Sequence, residues 1–273
     1  MHRTNRAAWL RDRRSRSLRR AKVAALLLAG ILFFSLSCFA SDPDQTFHHV
    51  YPLAAGGNFA LENVNGSVSV EGWDRDEVDV SAVKTARNDP SDAEAVKIEV
   101  DSGPNCVSVH TRYPKGDGAE VAVDYHVRVP YRVLLGHVET VNGSVIIRGI
   151  EGSGELHSVN GNVEVTNSSG RFNAKTTNGN LRLELRRLLD GAPMNLETVN
   201  GSVVLGLPRD ARANVKVLSM NGEVDSDLPV ISTASTPATR AYTGRIGTGT
   251  GGGDIFVHTV NGGVRLVLWR PGV

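Results

Sequence analysis

ETVNGSVIIRGIEGSGELHSVNGNVEV, Glu139 to Val165, states one phrase twice, as Thr140-Val-Asn-Gly-Ser-Val145 and again as Ser158-Val-Asn-Gly-Asn-Val163. Outward from it the same dipeptide recurs as Asn65-Gly66, Asn142-Gly143, Asn160-Gly161, Asn178-Gly179, Asn200-Gly201, Asn221-Gly222 and Asn261-Gly262. From Asn142 onward the steps are 18, 18, 22, 21 and 40 residues, the last about two periods. Two before the Asn stand Thr140, Ser158, Thr176, Thr198, Ser219 and Thr259, with Asn63 the exception. Two after the Gly stand Val68, Val145, Val163, Leu181, Val203, Val224 and Val264. A period of 18 to 22 residues marks stacked units that share one core.

Two all-β architectures fit this. In a β-meander or sandwich each Asn-Gly is a hairpin turn. In a β-solenoid it is a corner, where Asn and Gly take positive φ at low cost. A two-residue hairpin puts Val141 on the face opposite Val138, Val145 and Ile147, so one Val per repeat would be wet. A corner breaks the alternation and can turn Val141 and Val145 both inward. The sequence therefore predicts a β-solenoid or β-helix-like stack of Asn-Gly repeats. Like residues then stand about 4.8 Å apart. The Asn column can form an amide ladder, and the Ser/Thr column can bond along the stack. All fourteen residues of the seven dipeptides are expected to be structural corners.

The segments EVDVSAVKTA, AVKIEVDSG, CVSVHTRYP and EVAVDYHVRVP alternate as strands before the repeat. A helical turn is expected at Asp89-Pro90, with Asp as cap. The expected organisation is a leader over 1–40, an N-terminal β region capping the stack over 41–135, and solenoid repeats over 136–270.

The leader differs in kind. Nine Arg/Lys and one acid, Asp12, precede the apolar run Val23 to Ala40. This matches an export signal cut before Ser41. Eighteen residues also suffice for a retained inner-membrane anchor, so membrane contact is expected only through residues 23–40, if uncut. The whole chain is +1 and residues 1–40 carry +8, so residues 41–273 carry −7. That balance excludes nucleic acid as a partner. With Cys38 in the leader, Cys106 stands alone and no internal disulfide is expected.

Together the leader, LENVNGSVSVEGWDRDEVDVSAVK (61–84), VDYHVRVP (123–130), the VNGSV/VNGNV units and DIFVHTVNGGVRL (254–266) resemble the bacterial putative-adhesin domain family of unknown function. Its members are β-solenoids similar in style to auto-transporter adhesin heads. The resemblance implies a β-solenoid in the cell envelope, no established activity and no catalytic residues.

The residues themselves offer little chemistry. There is no His-Glu-x-x-His, P-loop, Cys-x-x-Cys or Gly-x-Ser-x-Gly. Gly247 to Gly252 fits Gly-x-Gly-x-x-Gly but precedes a strand, where a linker or turn is expected. Gly249 to Val257, with Asp254 as ligand, is one imperfect calcium nonapeptide where tandem copies are needed. The acids from Trp73 to Asp79 read as a solvated turn, and adjacent His48 and His49 point to opposite faces. Three before the Asn, the column Glu139, His157, Lys175, Glu197 reads as charge compensation on a wet face. Of the sequons at Asn65, Asn142, Asn200 and Asn167, the first three fall on the corners, where Asn is expected to serve the backbone, and none is expected to carry sugar.

No catalytic, metal or cofactor site is therefore expected. The function expected is a non-enzymatic, exported adhesin-like or scaffold protein of the periplasm or cell surface. Its partner would be an envelope protein or a surface glycan. The alternatives are a polysaccharide-acting β-helix enzyme and a membrane-tethered envelope sensor.

Overall fold

Alternating Val, Leu and Ile make strands, because β-branched residues fit a pleated surface with one face buried. A computed structural model describes residues 45–114, 120–189, 193–228, 230–236, 241–247 and 252–270. The leader lies outside these, as does 248–251 of the glycine-rich loop. Contacts divide the chain after Ser41, and the fold below is that of the unit Asp42–Val273.

The chain begins with β1 (Thr46–Pro52), β2 (Asn58–Glu62), β3 (Val68–Trp73) and β4 (Glu77–Ala86), then a single turn of helix, α1 (Ser91–Ala95). There follow β5 (Lys97–Gly103), β6 (Cys106–Arg112), β7 (Val121–Pro130), β8 (Arg132–Asn142), β9 (Val145–Arg148), β10 (Glu151–Asn160) and β11 (Val163–Asn178). Next come β12 (Leu181–Arg187), β13 (Met194–Asn200), β14 (Val203–Leu207), β15 (Ala213–Ser219) and β16 (Val224–Ser226). The last are β17 (Val230–Thr236), β18 (Ala241–Ile246), β19 (Gly253–Asn261) and β20 (Val264–Leu268).

Strands before and after each Asn-Gly belong to different ladders. One runs β6–β2–β8–β10–β11–β13–β19–β15, parallel throughout. The other runs β7–β3–β9–β11–β12–β14–β20–β16, also parallel. β11 serves both, Val163–Thr166 in the second ladder and its later residues in the first. Antiparallel strands extend the ends: β5 beyond β6, β4 and then β1 beyond β7, and β18 and then β17 beyond β15. Parallel pairing on both sides overturns the meander, whose Asn-Gly turns would join antiparallel neighbours.

Order along the stack is not order along the chain. The β2/β3 rung lies between β6/β7 and β8/β9, and the β19/β20 rung lies between β13/β14 and β15/β16. The 40-residue step to Asn261 therefore holds a displaced rung and the β17/β18 excursion, not two successive coils.

Between the ladders lies one apolar core. Val145, Val163, Leu181, Val203 and Val264, the residues two after Gly, are each at most 1% exposed. Full burial of such a side chain stabilises by about 1.5–3 kcal/mol. The expectation that Val141 also turns inward fails. Val64, Val141 and Val199 are 39%, 37% and 41% exposed, and Met220 in the same slot is more so. The corner keeps the two-fold alternation of the strand before it, so Thr140 faces the core and Val141 does not.

The helical turn starts one residue later than expected. Pro90 takes the N-cap position and has no side-chain cap bond, while the Asp89 carboxylate accepts from Ser91 N–H at 2.9 Å. That bond holds the Asp89 carboxyl below its usual value.

β1 is fastened to β4 through a buried acid. Asp79, 5% exposed, accepts from Arg128 Nη2 at 2.5 Å and bonds His48 Nε2 at 2.9 Å. Arg128 also lies over the Trp73 ring at 4.5 Å. Burial pushes the Asp79 carboxyl up, but the bonds and charges of Arg128 and His48 outweigh it and hold it below the carboxylate range. A depressed folded value stabilises above the unfolded pKa and is lost as pH falls through the folded one. Asp79→Asn should therefore cost about 1 kcal/mol at pH 7 and flatten the acid limb of the stability curve. Urea melts from pH 2 to 7 in which both proteins lose stability in parallel would contradict this.

Candidate functional site

The seven corners form one continuous column. Asn142 Nδ2 donates to Asn65 Oδ1, Asn160 to Asn142, Asn178 to Asn160, Asn200 to Asn178 and Asn261 to Asn200, each at 2.8 Å. Asn221 donates to Asn261 at 2.9 Å. Every bond points the same way. Below each amide a backbone bond links the same rungs, as in Gly161 N–H to the Asn178 carbonyl at 3.1 Å.

The Ser/Thr column bonds along the stack, but to backbone rather than to itself. Thr140, Ser158, Thr176, Thr198, Thr259 and Ser219 donate to the carbonyls of Gly66, Gly143, Gly161, Gly179, Gly201 and Gly262 at 2.8–3.1 Å. These hydroxyls are at most 2% exposed, so the bond satisfies a group that burial would otherwise penalise. Asn63 departs from Ser/Thr because its neighbouring rung, β6/β7, has no Asn-Gly corner. Its longer amide reaches the Val123 carbonyl at 2.9 Å. Thr198→Val keeps the shape and removes the donor, and should cost about 1 kcal/mol in a thermal melt. An unchanged melting temperature would show that the hydroxyl bond adds nothing.

Glycine is required at the corners for a reason other than the one expected. Of the fourteen corner residues only Gly66 has positive φ, at 112°. At Gly143, Gly161, Gly179, Gly201, Gly222 and Gly262 a Cβ would instead lie closer than 3.0 Å to the backbone carbonyl of the next corner glycine. The rungs approach too closely for a side chain.

All fourteen corner residues are thus used by the stack. The amides of Asn65, Asn142 and Asn200, which head sequons, are engaged in the ladder. Asn167 has φ 52°. Asp254 accepts from Asn214 Nδ2 at 2.9 Å, the adjoining strand's amide taking the carboxylate. His48 bonds Asp79, while the His49 ring meets that of Phe47 at a tilt on the other face. Cys106 is free and exposed. Among the described residues no cluster of three His, Cys, Asp or Glu side chains could hold a metal.

A polar groove of about 350 Å³ lies instead on the outer face of the first ladder. One wall is His157, Lys175 and Glu197, part of the column three before each Asn. In stack order that column reads Glu62, Glu139, His157, Lys175, Glu197, His258, with His110 of β6 beside Glu62 at its start. Side chains pair along it, His110 with Glu62 at 3.0 Å, His157 with Glu139 at 3.5 Å, and the opposite charges of Lys175 and Glu197 at 3.2 Å. The other wall is the column five before each Asn: His137, Glu155, Asn173 and Asn195, with Phe256 one strand beyond. Asn173 Nδ2 donates to Glu155 at 2.7 Å, and Asn173 Oδ1 accepts from Asn195 N–H at 2.7 Å. His137 closes on Glu139 at 2.8 Å. This second column went unread in the sequence, although the same fixed offset from Asn-Gly reveals it.

The sequence profile described as Toastrack DUF4097 matches residues 58–266, most of the chain. The chain belongs to this family. Similar solved structures include the following two. A putative cell adhesion protein from Clostridium sporogenes is 12% identical, with a TM-score of 0.48 over 82% of this chain and 99% of that one. A putative adhesin from Bacteroides fragilis is 11% identical, with a TM-score of 0.43 over 81% and 97%. No curated protein matches.

Proposed function

We propose that the chain is a non-enzymatic, extracytoplasmic adhesin-like or scaffold protein of the bacterial cell envelope, its β-solenoid presenting one regular outer face. In this reading β1, β4, β5 and α1 cap the end of the stack, and residues 1–40 direct export or remain as an anchor. The partner is an envelope protein or a surface glycan.

One observation carries the reading. Every repeated polar side chain at the corners is consumed by stacking, and the repeat leaves its variable residues in columns on the outer face. A sequence that conserves its turns while varying one face builds a display surface.

The groove is also where the polysaccharide-acting enzyme would be sought among the described residues, since Glu155 and Glu197 line it and Glu139 lies beside His137 and His157 at its end. A general acid needs a carboxyl removed from water so that it stays protonated near neutrality. Here Glu139 and Glu197 are 34% and 48% exposed, the first against His157 and the second paired with Lys175, and Glu155 is bonded to an amide. That favours binding over hydrolysis.

Cys106 offers a direct test, because it is exposed and the only other cysteine is Cys38. In cells producing the Cys38→Ser chain, a membrane-impermeant maleimide should label Cys106 before lysis. For a periplasmic location, labelling should follow permeabilisation of an outer membrane. Labelling only after the cytoplasm is opened would end the proposal.

A further inference from the structure

We infer that the outer groove between the two columns binds an uncharged or amino-bearing oligosaccharide lying along the stack, with one sugar ring against Phe256. This rests on the extracytoplasmic reading above and adds the ligand class and its site.

Chemistry of the walls selects the class. Sugar hydroxyls both donate and accept, and planar polar side chains answer both roles from fixed positions. The groove supplies carboxylates (Glu155, Glu197), amides (Asn173, Asn195) and imidazoles (His137, His157) in two rows. Among the described residues the Asn195 side-chain amide makes no hydrogen bond. Its own backbone N–H bonds Asn173, which fixes the strand and leaves that amide to a ligand.

Phe256 supplies the apolar element. It is 40% exposed and stands beside Asn195 in register, so its ring continues the groove's wall. Phe256 is the one aromatic among the large hydrophobic side chains most open to solvent in the described residues. A flat apolar ring beside polar groups suits the C–H face of a pyranose, whose rim bears the hydroxyls. A peptide or lipid would instead need a broad apolar floor or an open strand edge, neither of which lies here.

Length and charge narrow it further. From His137 to Asn195 the groove crosses four parallel strands, about 15 Å, and Phe256 adds a fifth. A chain of repeating units running across the strands meets one polar side chain from each column at each strand spacing, a regular step that a repeating polymer can follow. Within the groove the carboxylates of Glu155 and Glu197 outnumber the ammonium of Lys175, while Lys216 stands beside Phe256 in register. An acidic glycan is therefore repelled and an amine attracted along the groove rather than at its Phe256 end.

The test is calorimetric titration of the full chain with three hexamers: N-acetylglucosamine, glucosamine and galacturonate. The first two should bind, with the galacturonate hexamer at least tenfold weaker. Phe256→Ala and Asn195→Ala should each weaken binding at least tenfold with the melting temperature unchanged, while Val83→Ala on β4, beyond the end of the other ladder, binds as the parent. No binding of either favoured hexamer at millimolar concentration overturns the inference. So does tightest binding of the galacturonate hexamer, or undiminished binding by a well-folded Phe256→Ala chain. If Cys106 labels from outside while the hexamers fail to bind, this assignment falls and the envelope reading stands.

Discussion

Gly161→Ala should destabilise the protein by about 3 kcal/mol, and Gly161→Asn should be no better. The pair of substitutions separates two reasons for a conserved-looking turn glycine. If the corner needed positive φ, Asn would be tolerated, because its short polar side chain visits that region more readily than Ala does. The structure gives another reason. Gly161 lies outside the positive-φ residues, and a Cβ there would meet the Gly143 carbonyl from closer than 3.0 Å. That oxygen is fixed, since it also accepts from the Ser158 hydroxyl. The atoms it would meet belong to the backbone of Gly143 and Ser144, none to a side chain that can swing away, so the rungs themselves must part. Urea unfolding of the full chain measures this. An Asn variant within half a kcal/mol of the parent would reinstate the backbone-conformation account.

The second large effect belongs to the ladder. Asn178→Asp should cost about 2 kcal/mol at pH 7 and less at pH 3. Asn178 donates to Asn160 Oδ1 and accepts from Asn200 Nδ2, so it acts as both donor and acceptor. An ionised carboxylate keeps the second role and sets an anionic oxygen against the Asn160 oxygen in place of the first. The protonated acid can still donate, so folding raises the carboxyl pKa above its unfolded value near 3.9. Below that value both states are protonated and the deficit is smallest. As pH rises past it towards the folded pKa, the deficit grows. Asn178→Ala should lose about 1 kcal/mol with no such pH trend. Equal deficits for the Asp variant at pH 3 and pH 7 would mean that the amide column is ornamental.

Much of this was legible because a stack must repeat whatever its rungs share. The Asn column followed from spacing alone, and the buried Ser/Thr column from its fixed place two before Asn. The Val at the next position misled. Its apolar character suggested burial, yet a β-branched residue also suits the half-covered edge of a strand, as Val141 and Val199 show. Asn63 looked like an irregular copy and proved to be a correct residue for an irregular neighbour. The groove was hidden for a different reason. Its Glu, His, Asn and Phe share no residue type, only an offset, and their meaning appears once parallel register sets them side by side.

The displaced rungs bear on how the molecule is made. A chain emerging from the ribosome presents β15 and β16 before the strands that they must rest upon. The place between β13 and β15 stays empty until residues 253–268 arrive. Half-finished protein therefore cannot complete its sheet by simple growth from one end. Synthesis of the final Asn-Gly segment works as a latch, and a chain stopped short of it would expose two unsatisfied strand borders to whatever proteases or chaperones patrol its compartment.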